Sequence, residues 1–228
     1  MDLNVVYYIF INPERDWKII VQSQLKDFKF CEIKFKKFYI HICCTQIILI
    51  NECKQIIESF NFDNVVLTAS FINQYEYPGL NLLYNVSKNS QDAFLYFHSK
   101  GMVFNNPTNE RNRFEQTTLR ATLFNWRRAL TIFETVINVN KIGLWPSPQG
   151  YIWVNFFYIR GNTLKQPPKI STDRWYYEVY ISESNEVYIS EFNYFDCYSL
   201  TKDKICGIHA DSIKDDNFLI ETINCTFP

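Results

Sequence analysis

DAFLYFHSKG, residues 92–101, is the stretch on which the reading of this chain turns. Between Asp92 and His98 every residue is apolar or aromatic, with no polar alternation, and the run is too short for a helix. Such a run predicts a strand buried on both faces, as in a parallel sheet with helices above and below. The strand then ends in two protonatable groups, His98 and Lys100, and in Gly101, which permits a turn that other residues resist. Lys100 is a compact cation able to pair with phosphate oxygens. A buried strand therefore delivers polar atoms to the point where the chain leaves the sheet.

The segments before it repeat the pattern. Residues 4–11 (NVVYYIFI) predict another buried strand, and residues 38–44 and 64–69 two more. Helices are predicted between them: one opened by Pro13 and running through Trp17 and Leu25, one over 51–60, and one over 78–87 started by Pro78. Strand alternating with helix implies an α/β domain with a mostly parallel central sheet and helices on both faces. Ligands of such sheets sit at the carboxyl ends of the strands, which singles out Ile11-Asn12, Ala69-Ser70 and residues 98–101. Downstream, Leu119, Leu123, Trp126, Leu130, Phe133 and Ile137 form one apolar stripe, predicting a single helix over 113–137. A strand over 141–145, a PSPQG turn, an aromatic segment over 151–159 and a short helix from Asp173 follow. Trp145, Trp153 and Trp175 read as core. The whole reads as one domain, residues 1–228, with its core at about 4–182 and an irregular extension over 183–228.

Composition narrows the classes. With 47% hydrophobic and 18% aromatic residues the chain can bury a sizeable core, which excludes a disordered protein. A net charge of -1 gives no reason to expect nucleic acid or an anionic membrane as partner. The charge is unevenly placed: residues 98–128 carry six Lys/Arg against two acids, whereas eleven acids face four Lys/Arg from Ser171 onward. A basic middle suits an anion site. The seven cysteines form no Cys-x-x-Cys pair and the N-terminus has no basic leader region, so free thiols and a cytoplasmic location are expected. The longest apolar stretch, residues 39–50, is interrupted by His41, Thr45 and Gln46 and is too short to span a bilayer. No Gly-x-Gly-x-x-Gly, Walker loop, His-Glu-x-x-His or Gly-x-Ser-x-Gly is present. Of the three histidines (41, 98 and 209), His41 lies inside an apolar strand and reads as a satisfied core residue. Near the end, Arg174 and Glu178 stand one helical turn apart and share a face, so a carboxylate held by an arginine could serve as a general base.

Taken in order, several segments resemble a family of glycosyltransferase-like proteins of bacterial polysaccharide clusters and large DNA viruses. The matching pieces are Trp17 with Gln24-Leu25, then Tyr75-Glu76-Tyr-Pro78-Gly-Leu80, close to a Tyr-Glu-x-Pro-Thr-Leu pattern. Leu95-Tyr-Phe-His-Ser-Lys-Gly101 looks like Leu-Tyr-x-His-Thr-Lys-Gly. Asn125-Trp-Arg-Arg128, Gly150-Tyr-Ile-Trp-Val-Asn155 and Asp173-Arg174 with Glu178 complete the series, over roughly residues 4 to 182. The chain departs from the pattern at Gly79, usually Thr, and at Gln149-Gly-Tyr151, where a Ser-Gly-Asn turn is common.

The resemblance implies a GT-A-like fold and transfer of a sugar from a nucleotide-sugar donor, UDP- or another NDP-sugar, to a glycan acceptor. In GT-A enzymes the corresponding strand ends in Asp-x-Asp, which holds a divalent metal on the donor diphosphate. Here it ends in His98-Ser99-Lys100, so Lys100, helped by His98 and by Arg127 or Arg128, is expected to neutralise the leaving diphosphate directly. Tyr8, Asn12, Glu76 and Asn155 are the expected donor-side residues, and Arg174 either contacts phosphate or positions Glu178. Glu178 is the candidate base, with Asp173 second. No cofactor is expected; Mn or Mg on His98 and His209 is the alternative. The competing function is a GT-A-like nucleotide- or sugar-binding module that has lost turnover, and the expected location is cytoplasmic, in the host if the source is viral. A nucleotidyltransferase would need clustered acids at the strand ends, and the sequence offers none there.

Overall fold

The computed structural model describes residues 1–99, 110–184, 188–189 and 194–209. Its centre is β1 (Leu3–Phe10), flanked in parallel by β2 (Lys37–Cys43) on one side and β4 (Ala93–His98) on the other. Beyond β2 lies β3 (Val65–Ser70), again parallel. Beyond β4 the sheet turns mixed. Antiparallel β6 (Phe157–Arg160) joins β5 (Lys141–Gly143), and β9 (Cys197–Ser199) and β10 (Lys204–Ile205) close the far edge. The eight-stranded order is β10-β9-β5-β6-β4-β1-β2-β3, while β7 (Tyr188–Ile189) and β8 (Tyr194–Phe195) pair separately. The expected α/β class with a mostly parallel central sheet is what the chain adopts.

Among the described residues six α-helices cover both faces. Val5, Tyr7 and Ile9 of β1 point to one side, against Ile20, Val21 and Leu25 of α1 (Trp17–Phe30) and Ile50, Cys53 and Ile57 of α2 (Ile47–Ser59). Leu119 and Leu123 of α4 (Glu110–Phe124) and Trp126 and Phe133 of α5 (Trp126–Thr135) extend that layer. Val6 and Tyr8 point to the other side, against Leu80 and Leu83 of α3 (Tyr77–Ser87) and Tyr177 of α6 (Arg174–Val179). The period of two along β1 thus feeds two cores, and each buried Val, Leu or Phe contributes about 1.5–3 kcal/mol of transfer free energy. No helix among the described residues is long and apolar enough to cross a membrane.

Several expectations are corrected. The stripe over 113–137 belongs to two helices: Asn125 sits at φ -85 and ψ 12, and its side-chain amide takes the Ala121 carbonyl at 2.8 Å. The backbone N–H of Asn125 bonds to Thr122 instead, so the helix breaks there. The second piece ends at Thr135, leaving Ile137 81% exposed rather than in the stripe. Pro13 does not open α1, which starts at Trp17. α2 begins at Ile47, because the apolar stretch 39–50 is shared between a strand and a helix separated by the Cys44–Gln46 turn. Residues 196–205 are no irregular extension: Asp196 and Lys141 form an ion pair of 2.9 Å with both side chains wholly buried. The Asp196 carbonyl accepts the N–H groups of Asn140 and Lys141, stitching β9 to β5. His41 is satisfied but stands half-exposed, outside the core. Its ring nitrogens lie 2.9 Å from Thr68 Oγ1 and 2.9 Å from Ser70 Oγ on edge strand β3. Of Trp145, Trp153 and Trp175, which the sequence reads as core, Trp145 is buried and Trp175 is exposed.

Candidate functional site

β2 and β3 extend the sheet to one side of β1, whereas β4 lies on the other, and α1 and α2 lie on the face opposite α3. The connections therefore part between β1 and β4, and a crevice outside the carboxyl ends of these two strands is where open α/β sheets bind ligands. The two ends are tied together by Ser99. Its Oγ accepts the Phe10 N–H at 2.8 Å and donates to the Phe10 carbonyl at 3.1 Å, while its own N–H bonds to the Tyr8 carbonyl at 2.9 Å. The serine of His-Ser-Lys is thus a structural staple. From the other layer, Gln24 of α1 donates to the His98 carbonyl at 3.2 Å and accepts the Tyr7 hydroxyl at 2.6 Å. His98 is fixed from both faces.

The His98 ring meets a carboxylate brought by another element. Glu76 precedes α3, and its Oε1 lies 3.6 Å from His98 Nε2, with both side chains largely buried. Nε2 also lies 3.4 Å from the Val154 carbonyl. Both neighbours are acceptors, so Nε2 carries a proton, in the neutral tautomer or the imidazolium. Asn155 completes the cluster: its side-chain N–H groups donate to Glu76 Oε2 at 2.9 Å and to the Tyr177 carbonyl at 3.1 Å. One amide thereby ties the start of α3 to α6. Its Oδ1 is buried and has no hydrogen-bond partner among the described residues.

Backbone strain gathers around the same carboxylate. Most positive-φ non-glycine residues of the described chain are Asn or Asp, which visit that region readily. The one aromatic and the one β-branched residue among them are Tyr75 at φ 54 and Val154 at φ 75. They flank Glu76 and Asn155 respectively. For such residues a left-handed backbone is a genuine outlier costing about 1–3 kcal/mol. Tyr75 is held by the Tyr8 hydroxyl, which donates to its carbonyl at 2.5 Å, and by Asn73 Oδ1, which accepts its N–H at 3.1 Å. Immediately after, Gly79 lets α3 descend onto the sheet: a Cβ there would stand 2.5 Å from Tyr8 Cβ and 2.8 Å from the Tyr96 hydroxyl. Glycine at this position is thus a steric requirement of the close approach.

Tyr96 lies two residues before His98 and shares its face of β4, below Gly79. Burial first, and then the charges of Glu76 and Glu178, push its hydroxyl well above the usual tyrosine range. Tyr8 is raised in the same way, by burial and secondarily by Cys43 and Glu76. Both phenols therefore stay protonated, as donors. The Tyr96 hydroxyl finds no partner among the described residues. Glu178 acts electrostatically on Tyr96 and also raises Tyr151, whose main cause is burial. An unsatisfied donor on Tyr96 and an unsatisfied acceptor on Asn155 each cost about 1–3 kcal/mol if left so. They stand beside the Glu76 carboxylate and the His98 ring, an arrangement suited to a ligand rich in hydroxyl groups.

The structure brings Tyr8, Glu76, His98 and Asn155 together, with Glu178 near enough to act electrostatically on Tyr96, and gives other sequence candidates different surroundings. Asn12 stays just past the carboxyl end of β1, where it builds the turn before α1, its Oδ1 accepting the Glu14 N–H at 3.1 Å. Asp173 is the N-cap of α6, accepting the Trp175 N–H at 2.9 Å. Arg127 is exposed and lies over the Trp126 ring, while Arg128 bonds to the Leu200 carbonyl and to Asp203 on the β9–β10 side. α5 packs on the face opposite α3, which is why neither arginine joins Glu76. Lys100 and the side chain of Arg174 lie outside the described residues. His209 is exposed, and among the described residues no group of three or more His, Cys, Asp or Glu could hold a metal. Tyr75, Tyr96 and Val154 were missed. Tyr96 had a signal in the period of two before His98, whereas no sequence pattern announces a strained Val154.

In comparison with known proteins, no family model matches the chain and no curated protein matches it.

Proposed function

We propose that this chain is a glycosyltransferase that moves a sugar from a nucleotide-sugar to a hydroxyl acceptor, with the donor seated outside the carboxyl ends of β1 and β4. The observation that carries the reading is the convergence of Glu76, His98 and Asn155 at that crevice, between two residues in strained backbone conformations. Strain of this kind persists where surrounding structure over-determines it, and it clusters at ligand sites. The ordered motif resemblance, from Trp17 to Glu178, supports the same reading and a GT-A-like form of the fold.

In this reading Glu76 and the Asn155 amide receive the hydroxyl groups of the donor sugar, and His98 holds the Glu76 carboxylate in position from beneath. Lys100, next in the chain after Ser99, neutralises the departing diphosphate by charge-assisted hydrogen bonds. Glu178 removes the proton of the acceptor hydroxyl as that oxygen attacks the anomeric carbon and the bond to the diphosphate breaks. Asp173 is assigned to capping, and no step is routed through a metal. The test is transfer and donor hydrolysis over a set of nucleotide-sugars, with and without Mn or EDTA, for the wild type, Lys100→Ala and Glu178→Gln. Turnover abolished in both variants is the expected result. Donor binding without turnover in the wild type would make the chain a binding module, and strictly Mn-dependent donor binding would remove the role of Lys100.

A further inference from the structure

We infer that the ring of Tyr75 is the surface on which the base of the nucleotide stacks, an assignment that rests on the glycosyltransferase reading. Tyr75 is half exposed, although its neighbour Glu76 is largely buried. Its left-handed backbone is fixed at both ends, by the Tyr8 hydroxyl on its carbonyl and by Asn73 on its N–H, so the outward display of the ring is built in. Behind it stands the Tyr177 ring, with centroids 6.3 Å apart and planes tilted by 34°. Tyr177 is buried and locked, its hydroxyl accepting the Ser171 N–H at 2.8 Å and donating to the Ser171 carbonyl at 3.1 Å. Phe71 and Ile72, exposed in the same loop after β3, add apolar surface. The Ile72 carbonyl accepts from Cys43 Sγ, which holds this loop at the carboxyl edge of β2.

A rigid, outward aromatic face thus adjoins a cluster of hydroxyl-binding groups. The ligand that matches both has a flat π-ring at one end and a polyhydroxyl ring at the other, linked by a charged spacer. A nucleoside diphosphate sugar has this form, and its base would gain stacking on a ring that loses little freedom when covered. The experiment is calorimetric titration of the full chain with the uridine, guanosine, cytidine, adenosine and thymidine diphosphates, and with inorganic pyrophosphate as a base-free probe. It compares the wild type with Tyr75→Phe, Tyr75→Asn and Tyr75→Gly. Asn and Gly both accept a left-handed backbone, so either variant alone suffices if the other fails to fold. The Kd of the best nucleotide should rise about tenfold in the Asn and Gly variants and stay unchanged in Tyr75→Phe, with pyrophosphate unaffected throughout. Equal nucleotide affinity in all four proteins overturns the stacking role and leaves the glycosyltransferase reading standing. A parallel loss for pyrophosphate also overturns it, since Tyr75 would then act through Glu76. If no nucleotide binds the wild type, both fall together.

Discussion

Asn155 is the residue on which the site's geometry depends, because a single amide satisfies a carboxylate on the α3 side and a carbonyl on the α6 side. Asn155→Ala leaves Glu76 and the Tyr177 carbonyl each short of a donor, so stability should fall by about 2–3 kcal/mol in a denaturant melt. Donor affinity should fall with it, since Glu76 is no longer held against His98. Glu76→Gln keeps the shape and removes the charge. It should weaken donor binding by about tenfold or more with little change in melting temperature, as lost hydrogen bonds to charged groups do. At this scale the sequence was partly readable. His98 stood out as a polar residue at the end of an apolar run, whereas Glu76 and Asn155 entered only through the motif resemblance. Their mutual contact did not stand out, because it joins positions up to 79 residues apart and depends on a left-handed turn at Val154 that no local preference favours.

Among the elements, α3 and α6 are the two whose groups meet at Asn155. α3 rests on β1 through Gly79, and Gly79→Ala forces a methyl group against Tyr8 and Tyr96. Overpacking of this kind costs about 1–3 kcal/mol and would lift Glu76 away from His98. α6 is a helix of six residues held at its start by Asp173. Asp173→Ala should cost about 1 kcal/mol, the usual value of a lost N-cap, while leaving turnover per folded molecule in place. Glu178→Gln should show the opposite pattern, with stability kept and transfer lost. The elements themselves were largely legible: the four parallel strands fall within a residue or so of the apolar runs that predict them. The long helix was misread because the spacing of its stripe runs smoothly across Asn125, whereas the break arises from a side-chain amide competing for a backbone carbonyl.

For the molecule as a whole, the sheet is one object running from edge strand β3 to β10, and the buried Lys141–Asp196 pair fastens its mixed half. Lys141 Nζ also donates to the Gly150 carbonyl at 2.9 Å and lies 3.4 Å from the Ile181 carbonyl, so β5, the PSPQG turn and the segment after α6 meet at one charge. Removing one member of such a pair strands the other: Asp196→Asn should destabilise by about 3–5 kcal/mol, and Lys141→Met with Asp196→Leu together by clearly less. None of this was visible in the sequence, where Lys141 and Asp196 are two ordinary charges 55 positions apart. The place where a ligand is expected, by contrast, follows from topology alone once β4 is placed beside β1. The most direct measurement is the crystal structure of the full chain soaked with a mixture of nucleotide-sugars. Density for a nucleoside diphosphate outside the ends of β1 and β4, with its sugar against Glu76 and Asn155, is the result expected; a nucleotide bound away from His98 and Glu76 would contradict it.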